Sequence, residues 1–150
     1  MIADRRAYFR KGLIDPYLMY YDALCHLLDD CWQPICGLRT LEEQAALYAS
    51  GRGGAPGPIL TRATPGLSFH NYGLASDWQY FVDGNYAPIL FNDPKWSDYL
   101  DACEKVGVRL ISWERPHNEY PAKTPVGQIL TTYQQSGIEG VQTLLEGESK

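Results

Sequence analysis

Two short clusters hold the residues with the most chemical capacity in this chain: Ser68-Phe69-His70-Asn71-Tyr72-Gly73-Leu74-Ala75-Ser76-Asp77 and Trp113-Glu114-Arg115-Pro116-His117. The chain has three histidines, and two of them fall in these clusters. His70, Asp77 and His117 offer two imidazoles and one carboxylate. That is the ligand count of a catalytic zinc site, which keeps its fourth tetrahedral position open for water. Glu114 lies just before the proposed ligand His117, where its carboxylate could act on that water.

The spacing constrains the elements that must position these groups. His70 and Asp77 are an odd number of residues apart, so one straight strand would put them on opposite faces. The segment must bend if both are to reach one ion, and Gly73 permits the bend. Beyond it, residues 74–82 read as a strand, with Leu74, Trp78, Tyr80 and Val82 on one face and Asp77 on the other. Glu114 and His117 have helical spacing, but Pro116 between them is poor in a helix interior. The apolar run 108–113 reads as a strand, with Glu114 at its end and His117 just past it, re-aimed by Pro116. This is not the helical H-E-x-x-H arrangement.

The stretch Ser68-x-His70-x-x-Gly73-x-Ala75-x-Asp77, followed by Glu114-x-x-His117, resembles the signature of zinc D-Ala-D-Ala carboxypeptidases and their relatives. Those relatives include D,D-dipeptidases, L-alanyl-D-glutamate endopeptidases of cell walls and phage endolysins. The resemblance extends upstream. Gly37-Leu38-Arg39-Thr40, Glu43-Gln44 and Leu47-Tyr48-Ala49-x-Gly51-Arg52 look like the segment carrying that family's substrate-binding arginine. Thr61-x-Ala63-x-Pro65-Gly66 looks like the lead-in to the first histidine. Together these motifs span about residues 34–120. His70-Asn71-Tyr72-Gly73 looks closer to the endopeptidase and endolysin branch. Two positions depart from the pattern: Phe69 replaces a small or polar residue, and Ser76 stands where an aliphatic residue is common. The resemblance implies an α+β, hedgehog/DD-peptidase-like fold with a small, largely antiparallel sheet flanked by helices. It also implies zinc held by His70, Asp77 and His117, with Glu114 as catalytic base.

At 150 residues and 45% hydrophobic content, a single catalytic domain over 1–150 with no separate wall-binding domain is the natural reading. A net charge of −5 argues against a nucleic-acid partner, which usually selects a basic protein. No run approaches the ~20 apolar residues of a membrane span, so no stable membrane association is expected. The first residues lack the apolar core of a signal peptide. The expectation is therefore a monomer held in the cytoplasm until released to act on its target. Cys25, Cys31, Cys36 and Cys103 form no C-x-x-C pair and read as reduced thiols. A structural zinc from Cys25, His26, Cys31 and Cys36 is the lesser alternative, because Cys25 and Cys31 fall in an apolar helical pattern.

Along the chain, Asp15-Pro16 reads as an N-cap followed by proline at the first helical position. Leu18, Tyr21, Leu24, Cys25, Leu28 and Trp32 recur at helical spacing until Pro34, and a strand over 35–39 follows. Thr40-Leu41-Glu42-Glu43 is a capping box, opening a helix to Ser50 with Gly51 beyond it. Arg39 thus sits at a strand-to-helix junction. Residues 51–69, rich in glycine and proline, read as a long loop on the rim of the site. Asp93-Pro94 opens a helix stopped by Gly107. Thr124-Pro125 opens another to about Tyr133, and Ser136-Gly137 separates it from a last helix over 138–146.

Each functional assignment has a plainer rival. His70 could be a packed loop histidine, Asp77 an ordinary strand residue and Glu114 a surface carboxylate. Arg39 could pair with a nearby acid instead of a substrate carboxylate. Ser68 could cap the loop or touch substrate, and Tyr72 could be packing or cleft wall. His26 carries no assigned role, and Arg5, Arg6, Arg10 and Lys11 read as a solvated basic face. The expected activity is zinc-dependent hydrolysis of an amide bond in peptidoglycan stem peptides. An L-alanyl-D-glutamate endopeptidase acting as a phage endolysin leads, a D-Ala-D-Ala carboxypeptidase follows, and a non-catalytic zinc-containing binding module is the alternative of another class.

Overall fold

A computed structural model describes residues 2–148. The chain folds as α1 (Ile2–Arg10), α2 (Asp15–Leu27), β1 (Trp32–Cys36), α3 (Leu41–Ala49), β2 (Ala75–Val82), β3 (Asn85–Tyr86), α4 (Trp96–Val106), β4 (Arg109–Ile111), β5 (Glu114–Glu119) and α5 (Val126–Gly147). The strands run in the order β1-β2-β5-β4, with β3 pairing the far end of β2, and every pairing is antiparallel. This is the α+β arrangement the motifs lead one to expect. No helix among the described residues is long and apolar enough to cross a membrane.

The core lies between the sheet and the helices. α2 contributes Tyr17, Tyr21 and Leu24, α4 contributes Trp96 and Tyr99, and α5 contributes Ile129, Val141 and Leu145. These pack with Leu74 and Trp78, which are fully buried. Trp32 stacks on Tyr99 with ring centroids 5.3 Å apart. Because side chains alternate along β2, burying Trp78 leaves Asp77 facing the opposite side.

Several boundaries differ from the sequence expectation. Asp15 is the first residue of α2 rather than its N-cap, which is Ile14, and Pro16 is tolerated in the first turn. α2 ends at Leu27, so Trp32 and Pro34 lie in β1 and not in or after a longer helix. Asp29 causes the early exit, since its side chain accepts from Cys31 N at 2.9 Å and holds a turn. Pro34 is compatible with β1 because that strand is at the sheet edge. The strand expected over 108–113 stops at Ile111, and Ser112-Trp113 turn the chain into β5, which carries both Glu114 and His117. Val82, placed on the same strand face as Leu74 and Trp78, is exposed.

The helix α1 has no amphipathic signature that would announce it. Its Arg6 donates to the carbonyls of Cys25, Leu28, Asp29 and Trp32, so the expected basic face is partly consumed in closing the C-terminal end of α2. Arg10 pairs with Asp22 at 2.8 Å. The break expected at Gly137 is present: φ 66° and ψ −165° interrupt α5 at that residue. α3 begins with the capping box read from Thr40 and Glu43.

Candidate metal centre

The register of three strands builds one row of side chains. Asp77 on β2 is opposite His117 on β5 and opposite Cys36 on β1. Directly opposed residues share a sheet face. A bulge between Pro34 and Cys36 sets the β1 register, and a second irregularity disrupts the β4–β5 ladder. There Leu110 is opposite Asn118 but Ile111 is opposite Glu114, so residues 115–117 have no partner on β4. This bulge breaks strict alternation and accommodates Pro116. It lets Glu114 line the same cleft as His117.

His70 enters from a single 3-10 turn, Phe69–Tyr72, that precedes β2. Ser68 caps the turn by accepting from His70 N at 3.3 Å, and Asn71 reciprocates. Gly73 then takes φ 70°, and a Cβ there would lie 2.3 Å from Gly12 O. The bend required between His70 and Asp77 is therefore made at Gly73, where only glycine fits.

Three ligand-type atoms converge. His70 Nε2 lies 3.2 Å from Asp77 Oδ1 and 3.2 Å from His117 Nδ1, and His117 Nδ1 lies 3.1 Å from Asp77 Oδ1. The far nitrogens are occupied: His70 Nδ1 is 2.8 Å from Gly37 O, and His117 Nε2 is 2.7 Å from Glu119 Oε1. Donation to those acceptors leaves the facing nitrogens as lone pairs. Two lone pairs and a carboxylate oxygen then point at one another with no proton between them. A cation or added protons must reconcile them. A tetrahedral ion with bonds near 2.0 Å sets its ligand atoms about 3.3 Å apart, close to the separations here. The residues present fit zinc.

The electrostatics express the same demand for positive charge. Burial alone would lower the His70 pKa, but the Asp77 carboxylate overrides it and pushes it up to about 10. Burial would raise the Asp77 pKa, and the two imidazoles instead hold it far below the usual carboxylate range. His117 is also raised against its burial, by Asp77 and Glu119. Glu119 is buried and lowered despite that burial, by His117 and by Arg109, whose Nη2 is 2.7 Å away. Arg109 also lies over the Phe69 ring, 5.0 Å from its centroid. The same guanidinium thus braces the partner of His117 and the turn that carries His70. This gives Phe69 a structural reason for its departure from the family pattern.

Arg39 reaches the cleft between β1 and α3. Its Nη2 is 3.9 Å from Asp77 Oδ2, and its Nη1 donates to Gln44 at 3.0 Å. Ser68 lines the cleft as well as capping its turn. Tyr72, read as packing or as a cleft wall able to touch substrate, is 1% exposed. Its hydroxyl donates to Gly66 O at 2.6 Å and its ring packs on Tyr133, so it fixes the loop from behind. The cleft encloses about 500 Å³ and is walled by Leu60, Thr61, Ala63 and Leu67 from the long loop.

Two residues at the centre escape sequence reasoning. Cys36 Sγ lies 3.7 Å from His70 Nδ1, and Cys36, His70 and Asp77 form a group whose ligand atoms fall within 4.8 Å of one another. The set with His117 is tighter, and it uses the His70 nitrogen that Gly37 leaves free. Cys36 therefore neighbours His70 and Asp77, rather than completing a site with Cys25, His26 and Cys31. The other missed residue is Glu119, legible as the i+2 partner of His117 only once both are placed on one strand.

No family model matches the chain. It is similar to the peptidoglycan L-alanyl-D-glutamate endopeptidase CwlK of Bacillus subtilis (strain 168), at 32% identity over 97 residues. The match covers 57% of this chain, which spans about half (54%) of the length of that relative. This similarity agrees with the resemblance carried by the two motif clusters.

Proposed function

We propose that the protein is a zinc-dependent peptidase that hydrolyses the L-alanyl–D-glutamyl bond of peptidoglycan stem peptides. One observation carries the reading: His70 Nε2, Asp77 Oδ1 and His117 Nδ1 meet without a proton donor among them, in a cleft that Glu114 lines. The activity of the Bacillus subtilis relative supports the choice of bond.

His70, Asp77 and His117 would hold the zinc, which when bound supplies a Lewis acid and lowers the pKa of water. Glu114, exposed at the start of β5, is the base that takes the proton of the attacking water and returns it to the leaving amine. Gln44 and Asp77 steady the Arg39 guanidinium, which binds a carboxylate of the substrate. Glu119 keeps the proton of His117 on the nitrogen turned away from the cleft. An endolysin role belongs to the same proposal. It is supported by the likeness of His70-Asn71-Tyr72-Gly73 to that branch.

The test is mass spectrometry of fragments released from purified peptidoglycan by wild type and Glu114→Ala, with and without a zinc chelator. Stems with a new N-terminal D-glutamyl residue are expected, absent on chelation and in the variant. Loss of a single terminal D-alanine would assign a carboxypeptidase instead. No metal-dependent fragment from any wall type would overturn the peptidase reading in favour of a binding module.

A further inference from the structure

Four tryptophans divide into two kinds. Trp32, Trp78 and Trp96 are 2%, 0% and 3% exposed and build the core. Trp113 is 74% exposed, at the turn between β4 and β5. A turn asks for glycine or small polar residues, not an indole. Leaving an indole in water forgoes a large apolar burial. The position borders the candidate centre directly, since Glu114 is the next residue.

Trp113 forms one wall of a groove of about 750 Å³, and Ile59, Leu60 and Ile111 continue its apolar lining. Ile59 and Leu60 are themselves more than half exposed. The groove is continuous with the metal cleft: Leu60, Thr61, Ile111 and Glu114 line both. A contiguous exposed apolar surface beside a polar centre marks a binding surface.

The occupant follows from the chemistry of the substrate, and this step rests on the endopeptidase reading above. The L-alanyl residue of a stem is joined to the lactyl group of an amino sugar. A cleft that cuts after that alanine holds the sugar two residue lengths away, across the alanine and the lactyl group, roughly 7 Å of chain from the bond. Alanine and glutamate offer little apolar area to a wall of this size. A pyranose ring has a flat C–H face with polar edges, which matches an indole that is apolar on its face and wet at its rim. We propose that the groove beside Trp113 is a glycan subsite, and that Trp113 selects stems still attached to their sugar strand over free stem peptides.

Two measurements decide it. The first compares kcat/KM of the zinc-loaded protein on a free stem peptide and on the same peptide linked to an amino-sugar tetramer. Trp113→Ala should lose about tenfold more on the glycan-linked substrate, through KM, and Trp113→Phe should recover most of that difference. Equal losses on both substrates, or none on the linked one, would overturn the subsite. The second needs no turnover. Acrylamide quenching of wild-type fluorescence reports on Trp113, because the other three tryptophans are buried. A peptide-free N-acetylated amino-sugar tetramer should protect it, and unchanged quenching would overturn the proposal. If wild type cuts neither substrate, the endopeptidase reading fails by itself, and protection from quenching still decides the subsite.

Discussion

The two faces of the β2–β5 pair carry polar residues at adjacent positions and treat them in opposite ways. Asp77 and His117 are opposed on the cleft side, and Ser76 and Asn118 are opposed one step along on the core side. On the core side donors and acceptors match. Ser76 Oγ accepts from Trp78 Nε1 at 2.8 Å and is 2.7 Å from Tyr17 OH. Asn118 Nδ2 donates to Tyr99 OH at 2.9 Å, Tyr17 OH donates to Asn118 Oδ1, and Tyr99 OH donates to Pro116 O at 2.6 Å. On the cleft side three acceptors converge with no donor. A satisfied buried network supports the fold, whereas a mismatched one is tolerated where something else completes it. Ser76, which departs from the family pattern, is explained by its place in the satisfied network.

The comparison breaks most visibly at the cleft. His117→Ala should empty the centre of zinc, measured by metal content after dialysis, and lower turnover by about 10³-fold or more. Its far-ultraviolet circular dichroism should stay native, because the core-side network is intact. Glu114→Ala should keep stoichiometric zinc and lose about 10²–10⁴ in kcat. Near-normal turnover in that variant would remove Glu114 from the chemistry.

The core side should fail in the other currency, stability rather than metal. Asn118→Ala strips partners from the hydroxyls of Tyr17 and Tyr99 and should cost about 3 kcal/mol, read from urea unfolding of the chelated protein. The zinc affinity of the molecules that remain folded should be little changed. Acid and alkali should separate the two faces as well. Burial raises the pKa of Tyr17 and of Tyr99 well above the ordinary value. The unfolded chain ionises at about pH 10 while the folded one holds its protons. Their contribution is complete below about pH 10 and is lost above it, by about 1.4 kcal/mol per tyrosine per pH unit. Zinc binding should weaken instead as the pH falls, because protons compete for imidazoles that Asp77 holds above their ordinary range, His70 up to about 10. Unfolding and zinc titrations across pH 5–11 measure both, and a single shared pH dependence would contradict the division.

The cleft side was legible in the sequence and the core side was not. His70, Asp77, Glu114 and His117 stand out because few residue types could hold a metal or act as a base, and the structure brings them to one cleft, with Gly73 closing the odd spacing. Thr40 with Glu43, and Gly137, mark their local boundaries because caps and positive φ are local physics. Cys36 reaches the centre through strand register with Asp77, tens of positions away, and Glu119 through lying two residues beyond His117 on one strand. Glu114 reads as the end of a strand with Pro116 re-aiming the chain beyond it, yet the bulge over 115–117 absorbs the proline within β5. Trp32 falls outside its expected helix, and Tyr72 stays open between packing and cleft wall, for a related reason. Helical spacing continues through Leu28 to Trp32 although Asp29 ends the helix, and nothing local tells a buried loop tyrosine from one lining a cleft.

The finest test lies where the two kinds of environment meet, at Glu119. This buried carboxylate accepts from His117 Nε2 at 2.7 Å through one oxygen and from Arg109 Nε at 2.8 Å through the other. Glutamine has the same shape but cannot accept on both sides. With its carbonyl toward His117, its amide group faces the Arg109 guanidinium. With its amide toward His117, Nε2 must accept, and the imidazole proton moves to Nδ1, where it points at Asp77 and the metal position. Either orientation leaves one mismatch, so Glu119→Gln should weaken zinc by about 10–100-fold in competition with a chelator. Glu119→Asp, which retains both acceptors, should recover part of that loss. An unchanged zinc affinity in Glu119→Gln would mean that His117 does not depend on its carboxylate partner. An ion held instead by Cys36, His70 and Asp77, whose ligand atoms lie within 4.8 Å of one another, would give that result.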